Sequence, residues 1–258
     1  FKQKTAYEIM PSLVGSEMCI RDRDTGSSLF NRGVGFTLIE LLVVIGIIAI
    51  ALSLVLPPAS KIFTTASDAQ ARQLFSAMLG AARGKAIENQ SYALVHCQIG
   101  VDDSCWIAVM IHNQDTDKFE LAEGYLPQQV PGNIAFGEIS SKFVNGGNYI
   151  SDALDSDEEL RDFTTFNIIF TPSGALASSD YTPQIDTDTK IFGGNGATPE
   201  QQIWDIPAGL EINEPTVKVV TIFPHKTLVA VENRANWLEE NGQFLCINPY
   251  TGRLIPTK

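Results

Sequence analysis

Gly35-Phe36-Thr37-Leu38-Ile39-Glu40 opens an apolar run that continues to Leu56, and this stretch decides how the rest of the chain is read. Over residues 36–56 only Thr37, Glu40 and Ser53 are polar. At about 1.5 Å per residue a helix of this length spans roughly 31 Å, enough for a bilayer core. No small-residue cleavage site of the secretory type closes the run. A carboxylate inside such a segment is costly, and Glu40 would be gratuitous in a plain anchor. Arg32 lies on one side of the run and Lys61 on the other, so charge alone orients it weakly.

Pro57-Pro58 follows and predicts a helix end or kink. The helical pattern then resumes. Ala71, Leu74, Phe75, Met78, Ala82 and Ala86 recur at spacings of three and four, with Arg72, Gln73, Arg83 and Lys85 between them. This predicts an amphipathic helix with one face to bury, ending near Glu88-Asn89-Gln90. Gly80 and Gly84 weaken it locally, either for a close strand approach or at a fraying end.

Beyond Gln90 the period shortens to that of strands. Residues 91–98 and 105–112 flank the turn-forming Gly100-Val101-Asp102-Asp103-Ser104 and predict a hairpin. Residues 119–121, 134–136, 165–170, 217–222, 227–232, 244–248 and 253–255 read as further strands, with Thr171-Pro172-Ser173-Gly174 and Pro249-Tyr250-Thr251-Gly252 as turns. The fold class is therefore α+β: a long N-terminal hydrophobic helix packed on a C-terminal antiparallel sheet domain. Residues 145–162, rich in Asp and Glu, and residues 178–216, rich in Gly, Pro, Asp and Thr, read as long solvated loops. A calcium-binding or partner-facing surface is the other reading of these two segments, but they lack EF-hand spacing.

The N-terminal stretch resembles the start of type IV pilins and of the pseudopilins of type II secretion systems. That resemblance is specific from Gly35 to about Pro58. The segment Leu79-Gly80-Ala81-Ala82-Arg83-Gly84-Lys85-Ala86-Ile87-Glu88-Asn89-Gln90, the Phe170-Thr171-Pro172-Ser173-Gly174 turn and the late Thr251-Gly252-Arg253 are similar to the GspH/FimT branch of minor pilins and pseudopilins, more patchily. The resemblance implies cleavage after Gly35 by a prepilin peptidase and N-methylation of Phe36. It also implies that Glu40 pairs with the amino terminus of a neighbouring subunit, a buried ion pair that sets register, and that the helix is gently kinked at Pro57 and Pro58. The implied partners are the peptidase, other (pseudo)pilins, the inner-membrane assembly platform and membrane lipid. The implied place is the bacterial inner membrane, single-pass, with the C-terminal domain in the periplasm or on a pilus.

Residues 1–23 resemble a translated sequencing adapter. Met18-Cys19-Ile20-Arg21-Asp22-Arg23 back-translates to ATGTGTATAAGAGACAG, the end of a common transposon-based adapter, and this part is set aside from fold reasoning. The expected organisation is then residues 24–35 as a leader remnant, 36–56 as the transmembrane and assembly half of the helix, 57–90 as its amphipathic half, and 91–258 as the β-rich domain.

With 18 Lys and Arg against 30 Asp and Glu, the net charge is −12. A broad nucleic-acid-binding face needs clustered cations, so nucleic acid is not expected as a partner. Cys97, Cys105 and Cys246 follow the adapter-like segment without CxxC spacing, which argues against zinc or thioredoxin-like chemistry. In an oxidising compartment a Cys97–Cys105 disulfide across the hairpin is one pairing; either cysteine with Cys246, or all three reduced, are the others. His96, His112 and His225 are scattered and form no metal-ligand motif. No nucleophile elbow, HExxH or P-loop is present, so neither catalysis nor a cofactor is expected. The leading expectation is a minor pseudopilin of a type II secretion system. A minor type IV pilin for pilus assembly or DNA uptake is the alternative, and a membrane-tethered periplasmic enzyme the remote one.

Overall fold

The computed structural model describes residues 36–194 and 196–256, with the side chains of residues 52–65 and 256 excepted. The chain divides into two units, Phe1–Leu52 and Ser53–Lys258. Helix α1 is assigned as Leu38–Glu88, without interruption at Pro57 and Pro58. The side chains of both prolines, where a kink was expected, lie outside the described residues.

The expected hydrophobic spine needs correction. Among the described residues no helix is long and apolar enough to cross a membrane. From Leu38 to Ala51 every described side chain but Glu40 is apolar or glycine, and the side chains of residues 52–65 lie outside the described residues. From Ala66 onward the helix is amphipathic rather than apolar.

In the second unit α1 buries Ala71, Phe75, Met78, Leu79, Ala82 and Ala86, the stripe that a 3.6-residue period dictates. Leu74 packs at its edge. Gly80 and Gly84 lie on the exposed side, and a methyl group on either would meet nothing within 4 Å. They mark no close approach. Gly80→Ala and Gly84→Ala are each expected to stabilise the fold by about 0.5–1 kcal/mol through helix propensity. Urea unfolding checks this, and a loss of stability would show an unrecognised contact there.

Two antiparallel sheets follow. The first contains β1 (Ala93–Ile99), β2 (Cys105–Asn113), β3 (Lys118–Leu121), β4 (Gln128–Gln129) and β8 (Phe166–Phe170), in the order β3-β2-β1-β8 with β4 also on β2. The second contains β5 (Ile134–Glu138), β9 (Val219–Pro224), β10 (Gln243–Ile247) and β11 (Leu254–Pro256), in the order β11-β10-β9-β5. A small ladder pairs β6 (Val144–Asn145) with β7 (Asn148–Tyr149). The predicted hairpin is present, with Ala93 opposite Ile111 and Ile99 opposite Cys105.

Strand β1 is buried along its whole length, because both faces of the first sheet are covered. Ala93, Val95, Cys97 and Ile99 face the main core with α1 and the second sheet. Leu94, with Ala108, Met110, Phe119 and Ile169, faces a separate core. That second core is closed by Ala177, Ile185, Phe192, Trp204 and Ile212. Residues 178–216, read from sequence as a solvated loop, thus form a packed cover, with Trp204 wholly buried. Gly100 lets this cover reach the hairpin turn. A side chain there would meet Ile203 O at 2.7 Å, and Val101 N–H donates to that same carbonyl.

Two short helices also correct the sequence reading, and a third follows them. Helix α2 (Asp157–Thr164) arises inside the acidic 145–162 segment, where Ser156 and Glu159 form a reciprocal capping box. Helix α3 (His225–Val229) stands where residues 227–232 were expected as a strand. Helix α4 (Arg234–Asn241) follows, capped by the Asn233 side chain on Asn236 N–H.

Candidate functional site

The residues singled out from the sequence start at the first turn of α1. Gly35 lies outside the described residues. Phe36 is described and 77 % exposed. Thr37 precedes the helix, and its hydroxyl accepts from Glu40 N–H at 3.3 Å. The Glu40 carboxylate in turn accepts from Thr37 N–H and from the Thr37 hydroxyl, each at 3.5 Å. Thr37-Leu38-Ile39-Glu40 is therefore a capping box, whose signal in the sequence is the Thr-x-x-Glu pattern. Glu40 also lies in the first turn, where the helix dipole favours a carboxylate.

The apolar side chains that follow are open. Leu38, Ile39, Leu42, Ile45, Ile47 and Ile50 are all more than half exposed. Ile50 has contacts of its own, but the surface as a whole is exposed.

Cys97 and Cys105 are brought together, though not face to face. Cys97 is opposite Ile107 and Cys105 is opposite Ile99, so the two are diagonal neighbours on one face of the hairpin. Their sulfurs are 3.5 Å apart as buried free thiols. Burial, followed by the contact with Cys105, pushes the Cys97 thiol well above its usual value, which disfavours the thiolate and quiets its reactivity. A diagonal pair lies at the outer limit of disulfide reach, because its Cα atoms are about 7–8 Å apart. Cys246 sits on β10 in the other sheet, half-buried and free.

The histidines do not converge. His112 pairs with Asp117 at 3.0 Å at the end of the hairpin. His225 begins α3 and is buried, its Nδ1 without a hydrogen-bond partner; burial lowers its pKa. His96 is fully buried beneath the 178–216 cover. Among the described residues no group of three His, Cys, Asp or Glu is placed to hold a metal ion.

A cluster that the sequence did not reveal surrounds Lys142. Its ammonium meets Asp162 of α2 at 2.6 Å and Glu214 of the cover at 3.3 Å. Glu138 of β5 lies alongside, only 4 % exposed, accepting from the Ser140 hydroxyl at 3.1 Å. Burial, with the Glu214 carboxylate adding to it, pushes Glu138 up to about 7, while Ser140 and Lys142 pull the other way. Glu138, Lys142 and Glu214 line a cleft of about 390 Å³ with Ser179 and Lys218. The cluster ties three separated pieces of chain together, and long-range charge pairing of this kind carries no local sequence signal.

No family model, curated protein or solved structure matches the chain.

Proposed function

We propose that this chain is a minor pilin-like subunit, cut after Gly35 by a prepilin peptidase at the bacterial inner membrane and added to a periplasmic pseudopilus for protein export. One observation carries the reading: the Gly35-Phe36 junction opens a capped helix whose next residues present exposed apolar side chains and a single carboxylate, Glu40. Cleavage would place a new amino terminus one residue before the Thr37 cap. An exposed apolar helix start has no use in an isolated subunit and is suited to burial among copies of similar helices. The α+β body, which packs the later part of α1 against two sheets, gives each subunit an independent surface domain. The net charge of −12 favours an export pseudopilus over a DNA-uptake pilus, which needs a basic face.

Coexpression with a prepilin peptidase should yield a product whose N-terminal residue is Phe36, N-methylated. Replacing Gly35 with a bulky residue should block the cut. A product that still carries Arg32 in the presence of active peptidase would remove the basis of the proposal.

A further inference from the structure

We propose that residues 178–216 form an acid-released cover over the outer face of the first sheet, with His96 as its proton-sensitive lock. The cover is held by two kinds of contact. Trp204, Phe192, Ile185 and Ile212 complete an apolar core on Leu94, Ala108, Met110, Phe119 and Ile169. Beside that core lie the only polar side chains that β1 and β8 turn to this face, His96, Gln98 and Asn167, all three buried.

Asn167 and Gln98 bind the cover through its main chain, and His96 bridges the two of them. Asn167 Nδ2 donates to Ile212 O at 2.7 Å and to Glu214 O at 3.0 Å. Gln98 Nε2 donates to Asp205 O at 2.8 Å. Trp204 Nε1 returns a bond to Gln98 O at 3.2 Å. These bonds use the amide N–H groups, so both amides turn their oxygens towards His96. Asn167 Oδ1 is 2.9 Å from Nδ1 and Gln98 Oε1 is 3.1 Å from Nε2. A neutral imidazole carries one N–H and can satisfy only one of the two. Turning the Gln98 amide over does not help, because its oxygen would then face Asp205 O. The network is one proton short in every arrangement with neutral His96.

The missing proton cannot be held cheaply while the cover is closed. His96 is fully buried, and its hydrogen-bond partners and ring neighbours, Asn167, Gln98, Phe192 and Trp204, carry no charge. Of the acidic residues in the cover that touch this network, Asp205 and Glu214 present main-chain carbonyls. Their carboxylates are engaged elsewhere, by Arg161 at 3.3 Å and Lys142 at 3.3 Å. The strand partner on β2 is Ala108 and that on β8 is Asn167. An imidazolium in this place lacks a counter-charge. Burial accordingly lowers the His96 pKa from 6.5, with the two amide oxygens opposing.

Lifting the cover returns the ring to water and to its ordinary affinity for protons. The open state therefore binds the proton more tightly than the closed one. By linkage the closed state is favoured above pH 6.5 and loses ground as pH falls below it, by up to about tenfold in the opening constant per pH unit. The loss stops at the lowered pKa of the closed state. Release would bare the outer face of the first sheet while leaving the inner core, α1 and the second sheet in place.

Hydrogen exchange of the full chain, followed by mass spectrometry at several pH values and corrected for intrinsic rates, tests this. Between pH 7.5 and 5.0, peptides from residues 178–216 should lose protection, by up to about thirtyfold, while those from residues 71–86 and 93–99 keep theirs. His96→Gln should abolish the loss of cover protection on acidification, and His225→Gln should leave the wild-type response intact; the Glu138–Glu214 pair, whose carboxyls burial raises, works in the opposite direction. An unchanged cover at pH 5.0, or a loss of protection on acidification that survives in His96→Gln, overturns the proposal. Should His96→Gln fail to fold, the His96 ring signal followed by NMR in the unsubstituted chain decides. Its midpoint is expected below 6.5, over the range in which the cover opens; a midpoint at or above 6.5 overturns the proposal.

Discussion

Phe75→Ala is expected to cost the α+β body about 3–5 kcal/mol, a large part of the stability of an ordinary domain. The side chain is wholly buried on the inward stripe of α1. Its ring stacks on Phe136 of β5 at 4.3 Å and meets Phe166 of β8 edge-on at 6.5 Å. One ring thus joins the helix to both sheets. Truncation removes its transfer energy and leaves a cavity between three rigid elements that cannot all collapse inward. Phe75→Leu should lose distinctly less, since most of the volume is kept. Urea unfolding of the two variants measures the difference. A loss below about 1 kcal/mol for the alanine variant would show that α1 is held to the sheets by something else.

Glu138→Gln is expected to stabilise the protein, and to do so only away from acid. The folded state raises this carboxyl from 4.5 to about 7, chiefly by burial. The unfolded chain therefore ionises first as pH rises. Relative to a neutral side chain, Glu138 costs nothing below pH 4.5. Its penalty grows through the window from 4.5 to 7 and then levels off at roughly 3 kcal/mol. Glutamine keeps the shape and an acceptor for the Ser140 hydroxyl. The gain should be near 1 kcal/mol at pH 5 and up to about 3 kcal/mol at pH 8, less whatever the Lys142 ammonium loses. Denaturation at the two pH values reads this directly. A gain of equal size at both, or a loss at pH 8, would mean that Glu138 is ionised comfortably in the folded state through its lysine neighbour.

Periodic signals made part of the fold legible before any coordinates. The buried stripe of α1 and the first hairpin follow from spacings of three and four residues and from alternating apolar runs around a turn, and both patterns are local. Residues 227–232 misled because Val229 and Val231 favour strands, yet β9 already ends at Pro224 and the chain turns into α3. Helix α2 was hidden by its charge, although Ser156 and Glu159 carried a readable cap. The cover was not readable at all. Ile185, Phe192, Trp204 and Ile212 are separated by irregular chain, with neither a helical nor a strand period, and what buries them is the far face of another element. A cue did exist on the other side: a strand whose two faces are both apolar must be covered twice.

At the N-terminal end the reach of the apolar helix was not legible. The stretch read as a membrane-length spine gives, among the described residues, no helix able to cross a membrane. Glu40 was read only as an assembly residue. The capping box with Thr37 gives it a use within its own helix, which a substitution to alanine would remove together with the proposed one.

Glutamine separates the two uses. It occupies the third position of a capping box as glutamate does, but it cannot form an ion pair with an amino terminus. The deciding measurement is incorporation of Glu40→Gln, beside Glu40→Ala and the unsubstituted chain, into filaments reconstituted with a prepilin peptidase and partner pilin-like subunits. All three should be cut to Phe36. Only the unsubstituted chain should enter the filament, with both variants reduced tenfold or more. Normal incorporation of Glu40→Gln would show that Glu40 serves its own helix alone, and would contradict assembly through that carboxylate.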